Sequence, residues 1–298
     1  MAALSAGVFT SPQFTFGIGE NNVRVTVHAA AIAKQSHALD ALINGPMKEA
    51  QTRIVRFEDV HEDTFIRFCQ FAYTGDYEPP VFIQRPESGF QEKDSSQWLP
   101  PTIDTNEPGE VAEEPEPEPA PEPAVAEAEP VYLSFGVKRP KKNKKSPKSR
   151  VLRDSFETKT FDVETPWLSA ERRCEVRQNS CAEEDYTPVF LGHARLYIFA
   201  DKWGIESLKA LSLHKLHKTL VTFTPYAARL GDVAELVRYT YENTPDFAHG
   251  MDDLRSLVMD YLTCEVTNLI RCPEFDQLLE QEGPFATDLV HMMMKRIG

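Results

Sequence analysis

The chain has no run of eighteen apolar residues, which excludes a membrane-spanning helix. It has no Asn-x-Ser/Thr sequon, and its start, MAALSAGVFTSPQF, lacks the charged n-region and apolar stretch of a secretory signal. Cysteine is scarce: Cys69, Cys174, Cys181, Cys264 and Cys272 are odd in number and widely spread, as suits reduced thiols in the cytosol or nucleus. Basic charge is short, with 32 Lys plus Arg against 46 Asp plus Glu in 298 residues, a net charge of −14. That balance argues against general nucleic-acid affinity, because phosphate binding needs a net basic face. No Gly-x-Ser-x-Gly, His-Glu-x-x-His or Gly-x4-Gly-Lys-Ser/Thr motif occurs. Gly17-Ile18-Gly19-Glu20-Asn21-Asn22 is an incomplete dinucleotide fingerprint that falls in a turn between strands. The expectation is an intracellular protein of the nucleus and/or cytoplasm that is not an enzyme. No catalytic residue, cofactor, resident metal, membrane contact or small-molecule substrate is expected.

What is present is unevenly distributed. Residues 1–80 carry 6 basic and 9 acidic side chains, residues 188–298 carry 11 and 15, and the middle carries 15 and 22. Of the 22 prolines, 14 lie between Pro79 and Pro147. Glu107 to Pro130 alternates Glu, Pro and Ala; proline removes amide donors and the carboxylates repel, so extended disorder is the expected state. Lys138 to Arg150 then packs eight basic residues into thirteen. Within it Lys138, Arg139, Lys141, Lys142, Lys144 and Lys145 are candidates for a nuclear-import signal, against a solvated polyampholyte whose acidic and basic blocks attract each other. Val151, Phe156, Phe161 and Val163 are spaced too irregularly to predict a helix or strand. The reading is a disordered N-terminus over 1–11, an ordered block over 12–80, a disordered insertion over 81–187, a helix pair over 188–222 and a helical extension over 223–298.

In the first block, Phe14 to Gly19 and Asn22 to His28 alternate with period two around Gly19–Asn22, predicting a β-hairpin. Ser36 is placed to cap a helix that Gly45-Pro46 stops, and Arg53 to Phe57 reads as a third strand. Asp59 and Glu62 have capping-box spacing ahead of a helix whose buried face is Phe65, Phe68, Cys69, Ala72 and Tyr73. Cys69 on that face reads as a small core residue, and Gly75 followed by Pro79-Pro80 ends the helix. Thr187 to Leu220 predicts two helices: Leu196, Phe199, Ala200 and Trp203 line the first, Gly204 breaks it, and Leu208, Leu211, Leu216 and Leu220 line the second. Further helices follow, with Val233, Leu236, Val237 and Tyr241 on one, and Leu254, Leu257, Val258, Tyr261 and Leu262 on the next behind an Asp252 cap. Residues 275–283 and 285–298 supply two more. His214 and His217, i and i+3 on a helix, read as a solvated face rather than a chelate, for want of a partner one turn away. Cys174, Cys181 and His193 would need a further ligand to hold zinc.

The pattern V-x-V-H-A-A-x-I-A-x-Q-S, then D-V-x-x-x-T-F-x-x-F-x-x-F-x-Y-T-G-x-Y, over about residues 12 to 78, resembles the BTB/POZ domain, in the version found in filamentous fungi. The landmark positions are His28, Ser36, Phe65, Tyr73 and Gly75. The A-D-K-W-G-I-x-x-L-K stretch, with Ala200, Asp201 and Gly204, resembles the family's final helix pair. The helices after it are similar to the start of a BACK region. The resemblance implies an α+β fold, a short hairpin and third strand packed on a helical cluster, interrupted by the insertion and followed by an all-α extension. Closing a connection of about a hundred residues instead of about five costs on the order of 2–3 kcal/mol, tolerable to a domain stable by about 5–15 kcal/mol. The resemblance further implies a non-enzymatic protein–protein interaction module that forms a homodimer. It also implies recruitment of a cullin-type ubiquitin ligase as a substrate adaptor, through a surface around His61, Glu62, Arg67, Gln70, Asp76 and Tyr77. The alternative is a nuclear regulatory scaffold, in which the domain dimerises the chain and the charged insertion binds partners.

Overall fold

Polypeptide conformation is described for residues 6–85, 147–161, 175–245, 250–281 and 283–297 of a computed structural model. Helix α1 (Ala6–Phe9) inserts Val8 into the interior, so the stretch 1–11 read as disordered contributes a short ordered element. The expected hairpin follows as β1 (Gln13–Ile18) and β2 (Val23–His28), antiparallel, with Phe14 opposite Val27 and Phe16 opposite Val25. Alternation puts Phe14, Phe16 and Ile18 inward. After α2 (Ala29–Ala33) comes α3 (His37–Asn44), where the Ser36 hydroxyl accepts the Leu39 amide at 3.2 Å as a proper N-cap. Helix α4 (Lys48–Thr52) leads to β3 (Ile54–Phe57), which runs parallel to β1 and gives a three-stranded sheet in the order β2-β1-β3.

Helix α5 (Glu62–Thr74) buries Phe65, Phe68, Cys69 and Ala72, and Gly75 closes it with φ of 78°, a left-handed conformation in which a side chain would be strained. Its start differs from the expectation. His61 is the N-cap and no side chain caps the helix; the Asp59 carboxylate instead pairs with Lys202. A capping box needs Asp59 in the cap position, and the long-range ammonium draws it away.

The stretch 81–187, expected to be one unstructured insertion, is not uniformly so. Strand β4 (Ile83–Gln84) pairs antiparallel with β5 (Glu184–Asp185), and between them α6 (Pro147–Glu157) packs on the fold through Phe156. The irregular apolar spacing hid α6 because one aromatic, not a stripe, anchors it. The acidic tract and the candidate import residues Lys138, Arg139, Lys141, Lys142, Lys144 and Lys145 lie outside the described residues.

The two expected helices follow as α7 (Thr187–Trp203) and α8 (Glu206–Thr222), then α9 (Leu230–Asn243), α10 (Asp253–Leu269), α11 (Pro273–Gln281) and α12 (Gly283–Ile297). Asp252 caps α10 as expected, accepting the Leu254 amide at 2.8 Å. Two hydrophobic cores result. The first joins the sheet and α5 to Leu196, Phe199, Ala200, Leu208 and Leu211; the second gathers Phe190, Tyr197, Leu216 and Leu220 with α9 to α12. Helices α7 and α8 thus serve both cores, one half of each helix per core. Among the described residues the architecture is mixed α+β, mostly helical, with two small sheets. Among the described residues no helix is long and apolar enough to cross a membrane.

Candidate functional site

The surface expected around α5 and its exit divides in two. His61 and Glu62 are exposed, next to exposed Asp63. Arg67 folds back: its Nε donates to the Glu78 carbonyl at 3.2 Å and its Nη1 to the Asp63 carbonyl at 3.1 Å. Gln70 accepts the Glu78 amide through Oε1 at 3.1 Å. Both therefore hold the exit segment rather than face a partner.

Asp76 and Tyr77 correct the expectation more strongly. Tyr77 is 1% exposed, its hydroxyl hydrogen-bonded to His193 Nδ1 at 2.8 Å. Lys215, on α8 and only 5% exposed, reaches the Tyr77 carbonyl at 2.6 Å and Asp76 Oδ1 at 2.5 Å, with its ammonium 4.3 Å from the centre of the Tyr77 ring. A buried ammonium is costly unless so compensated. Burial, together with the positive Lys215 and Arg67, pushes the His193 imidazole down to about 3, so it is neutral at physiological pH. Gly192 completes the junction: a Cβ there would lie 2.4 Å from Pro80 Cγ, so only glycine lets the exit segment lie flat on α7. These are positioning residues that fasten the first block to the helix pair.

What remains available on α5 is His61, Glu62 and Asp63 together with Ile66, which is 39% exposed. Sequence reading missed Ile66; its place opposite the Phe65/Phe68/Ala72 stripe would have shown it as an outward apolar residue. Burial, with the positive charge of Arg195 on α7, lowers the His61 pKa. The arrangement is an apolar spot flanked by acidic and basic groups. A cleft of about 340 Å³ between α3, α4 and the start of β1 is lined by Phe14, Ile43, Asn44, Gln51 and Arg53.

A second cluster sits where the insertion leaves and rejoins the fold. Arg85 Nε meets Asp185 Oδ2 at 2.8 Å, and the Arg85 amide donates to the Glu183 carbonyl at 2.7 Å. Arg177 Nη2 meets Glu184 Oε1 at 3.1 Å, while Ser180 donates to Glu184 through its amide and hydroxyl. Arg177 also stacks over Phe82 at 4.6 Å, and Phe82 lies parallel to Tyr186. Beneath them Asp232 accepts the Tyr186 amide at 2.8 Å; burial pushes its carboxyl up to about 7. Two-residue strands leave no periodic signal, so none of this clasp was legible in the sequence.

His214 and His217 are not on a solvated face. His217 is buried and its Nε2 bonds the Phe156 carbonyl at 2.7 Å, while the Phe161 ring lies 5.3 Å from it and 6.3 Å from His214. Aromatics from beyond the helix cover both imidazoles. Among the described residues no group of three or more His, Cys, Asp or Glu side chains is placed to hold a metal ion. Cys174 lies outside the described residues, and His193 is engaged with Tyr77. Burial raises the Cys69 thiol to about 12, as for a core residue.

The remaining landmark positions are structural. The Tyr73 hydroxyl meets His28, Phe65 and Ala200 are buried in the first core, Asp201 Oδ1 pairs with Lys209 at 2.6 Å, and Gly204 ends α7 with φ of 63°. A scan against protein-family models finds no match for the chain, and a search of curated proteins finds no relative.

Proposed function

We propose that the chain is a non-enzymatic protein–protein interaction module of the BTB/POZ kind, with a BACK-like helical extension. In this reading it pairs with a second copy through the hairpin and first helices. It presents the His61/Glu62/Ile66 face of α5 to a cullin-type ubiquitin-ligase scaffold, as a substrate adaptor. The observation that carries the reading is the shared first core. Phe57 stacks on Trp203 at 5.0 Å and Phe68 packs against Phe199 at 4.9 Å. The α7–α8 pair therefore completes the same core as the sheet and α5, although residues 81–187 intervene. That is what one domain interrupted by an insertion requires. The exposed Ile66, beside ionisable His61, Glu62 and Asp63, supports a docking role for α5.

The test uses the full chain. Light scattering at micromolar concentration is expected to give a dimer, and a monomer there contradicts the pairing. Pull-down with a cullin N-terminal domain is expected to succeed and to fail for Ile66→Glu, a surface change that leaves the core intact. Capture that is absent in the unmodified chain, or unchanged in the variant, removes the adaptor role. Deleting residues 89–145 spares β4, α6 and β5. Loss of every partner on that deletion favours the nuclear scaffold instead.

A further inference from the structure

Helix α6 is joined to the rest of the described fold only through residues 86–146 and 162–174, yet it is seated on α8 and α10 by a defined set of contacts. Arg153 and Phe156 on α6, and Lys159 two residues past its end, face the fold. Phe156 is 3% exposed, with its ring 4.9 Å from His217 and 5.7 Å from Tyr261. Arg153 donates through Nη1 to Glu265 Oε1 at 3.0 Å and through Nη2 to the Val221 carbonyl at 2.7 Å. Lys159 reaches Asp260 Oδ2 at 2.8 Å. The opposite side, Val151, Asp154 and Ser155, is exposed, while Glu157 pairs with Arg153 at 2.6 Å along the helix.

Eleven residues are too few to hold a helix in water without tertiary support, so the helicity of α6 depends on this seat. The seat, by contrast, belongs to two helices of 17 residues each, anchored in the second core by Leu213, Leu216 and Leu220 of α8 and by Leu257, Val258 and Leu262 of α10. Its chemistry is specific: an aromatic slot between His217 and Tyr261, with the buried carboxylate of Glu265 on one side and Asp260 on the other. Arg153 is the guanidinium that meets Glu265 across this groove, so an occupant that brings a cation to that point matches its charge.

We propose that the α8–α10 groove is a binding surface for protein segments that carry a cation and an aromatic three residues apart on a helix, with a second cation three residues further on just past the helix end, and that α6 is its built-in occupant. A segment presented by another protein competes with α6. The tether gives α6 a high local concentration, so the competitor succeeds only where α6 is weakened or its own contacts are better. This proposal stands apart from the adaptor reading, since it uses neither the sheet nor the α5 face.

The test uses the full chain, a Phe156→Ala variant, and an Arg153→Glu/Lys159→Glu variant that leaves the aromatic slot untouched. A fluorescent peptide of residues 147–161 is expected to bind both variants saturably and the unmodified chain at least about 10-fold more weakly. An alanine-rich helix bearing only the Arg, Phe and Lys at the same spacing is expected to compete, and one with the Phe shifted by two positions is not. Hydrogen exchange on the same samples is expected to show residues 151–158 losing protection while α8 and α10 keep theirs. Absence of peptide binding to variants whose α8 and α10 remain protected overturns the proposal. Loss of protection in α8 and α10 together with α6, in both variants, also overturns it, because α6 is then part of the core.

Discussion

The hydroxyl of Tyr73 touches His28 twice, accepting its backbone amide at 2.9 Å and bonding Nδ1 of its imidazole at 2.9 Å. One phenol at the end of α5 thus fixes both the backbone where β2 passes into α2 and the side chain beside it. The phenol oxygen accepts from the amide and still has a hydrogen-bonding position for the ring nitrogen.

Tyr73→Phe is expected to leave the amide and Nδ1 unpaired in a half-buried site, at a cost of about 1–3 kcal/mol. Thermal unfolding should fall by about 2–4 °C for each kcal/mol lost. His28→Phe should cost a similar amount, and the double variant should be less destabilised than the sum of the two. Strictly additive losses would show that the two side chains do not act as a unit.

Gly192→Ala sets two effects against each other. Alanine favours a helix over glycine by roughly 0.5–1 kcal/mol. Its Cβ, however, would press 2.4 Å from Cγ of a rigid proline ring, and overpacking costs typically about 1–3 kcal/mol. Net destabilisation is expected, read as a lower urea midpoint with an unchanged slope. Adding Pro80→Gly should recover part of the loss; no recovery would place the strain elsewhere.

Acid and base pull in opposite directions. The folded pKa of His193 lies near 3, below its unfolded value of about 6.5, so the stability it contributes is present above pH 6.5 and is lost as the pH falls towards 3. His214, lowered to about 4 by burial and then by Lys218, adds to the same loss. Asp232 is the reverse: its folded pKa of about 7 lies above the unfolded value of 3.8, so its contribution is complete below pH 3.8 and is lost as the pH rises through 7. Asp232→Asn keeps an oxygen acceptor for the Tyr186 amide and removes that opposing slope. Between pH 5 and pH 6.5 the variant's stability should therefore rise more steeply with pH than that of the unmodified chain, by up to about 1.4 kcal/mol per pH unit, one proton's worth. Parallel curves from denaturant titrations at half-unit intervals would mean that Asp232 is ionised in the folded protein throughout.

The parts of the fold legible in the sequence are those whose own periodicity decides them. Phe14 to His28 alternates and becomes a hairpin; Phe65, Phe68, Cys69 and Ala72 repeat and become a buried helix face; Ser36, Asp252, Gly75 and Gly204 mark the ends they were expected to mark. What stayed hidden depends on partners far along the chain. Asp59 abandons the cap because Lys202 lies 143 positions on, and Tyr77 turns inward because His193 lies 116 positions on. His217 is covered because Phe156, 61 positions earlier in the chain, packs back on it. In the candidate site the residues on α5 were legible, but their division into exposed His61 and Glu62 and inward-holding Arg67, Gln70, Asp76 and Tyr77 was not. Spacing along one helix says which side chains share a face, not what later arrives to cover it.

The clasp of Arg85 on Asp185 holds β4 against β5 whatever the length of chain between them. Because loop-closure cost grows only logarithmically with length and α6 has its own seat, residues 89–145 can be exchanged for a folded cargo at a small cost in stability. The position is a natural port for a fluorescent reporter or an affinity handle. Pulling on such a graft would load β4 with the Arg85–Asp185 pair at one end and α6, through Arg153 and Phe156, at the other.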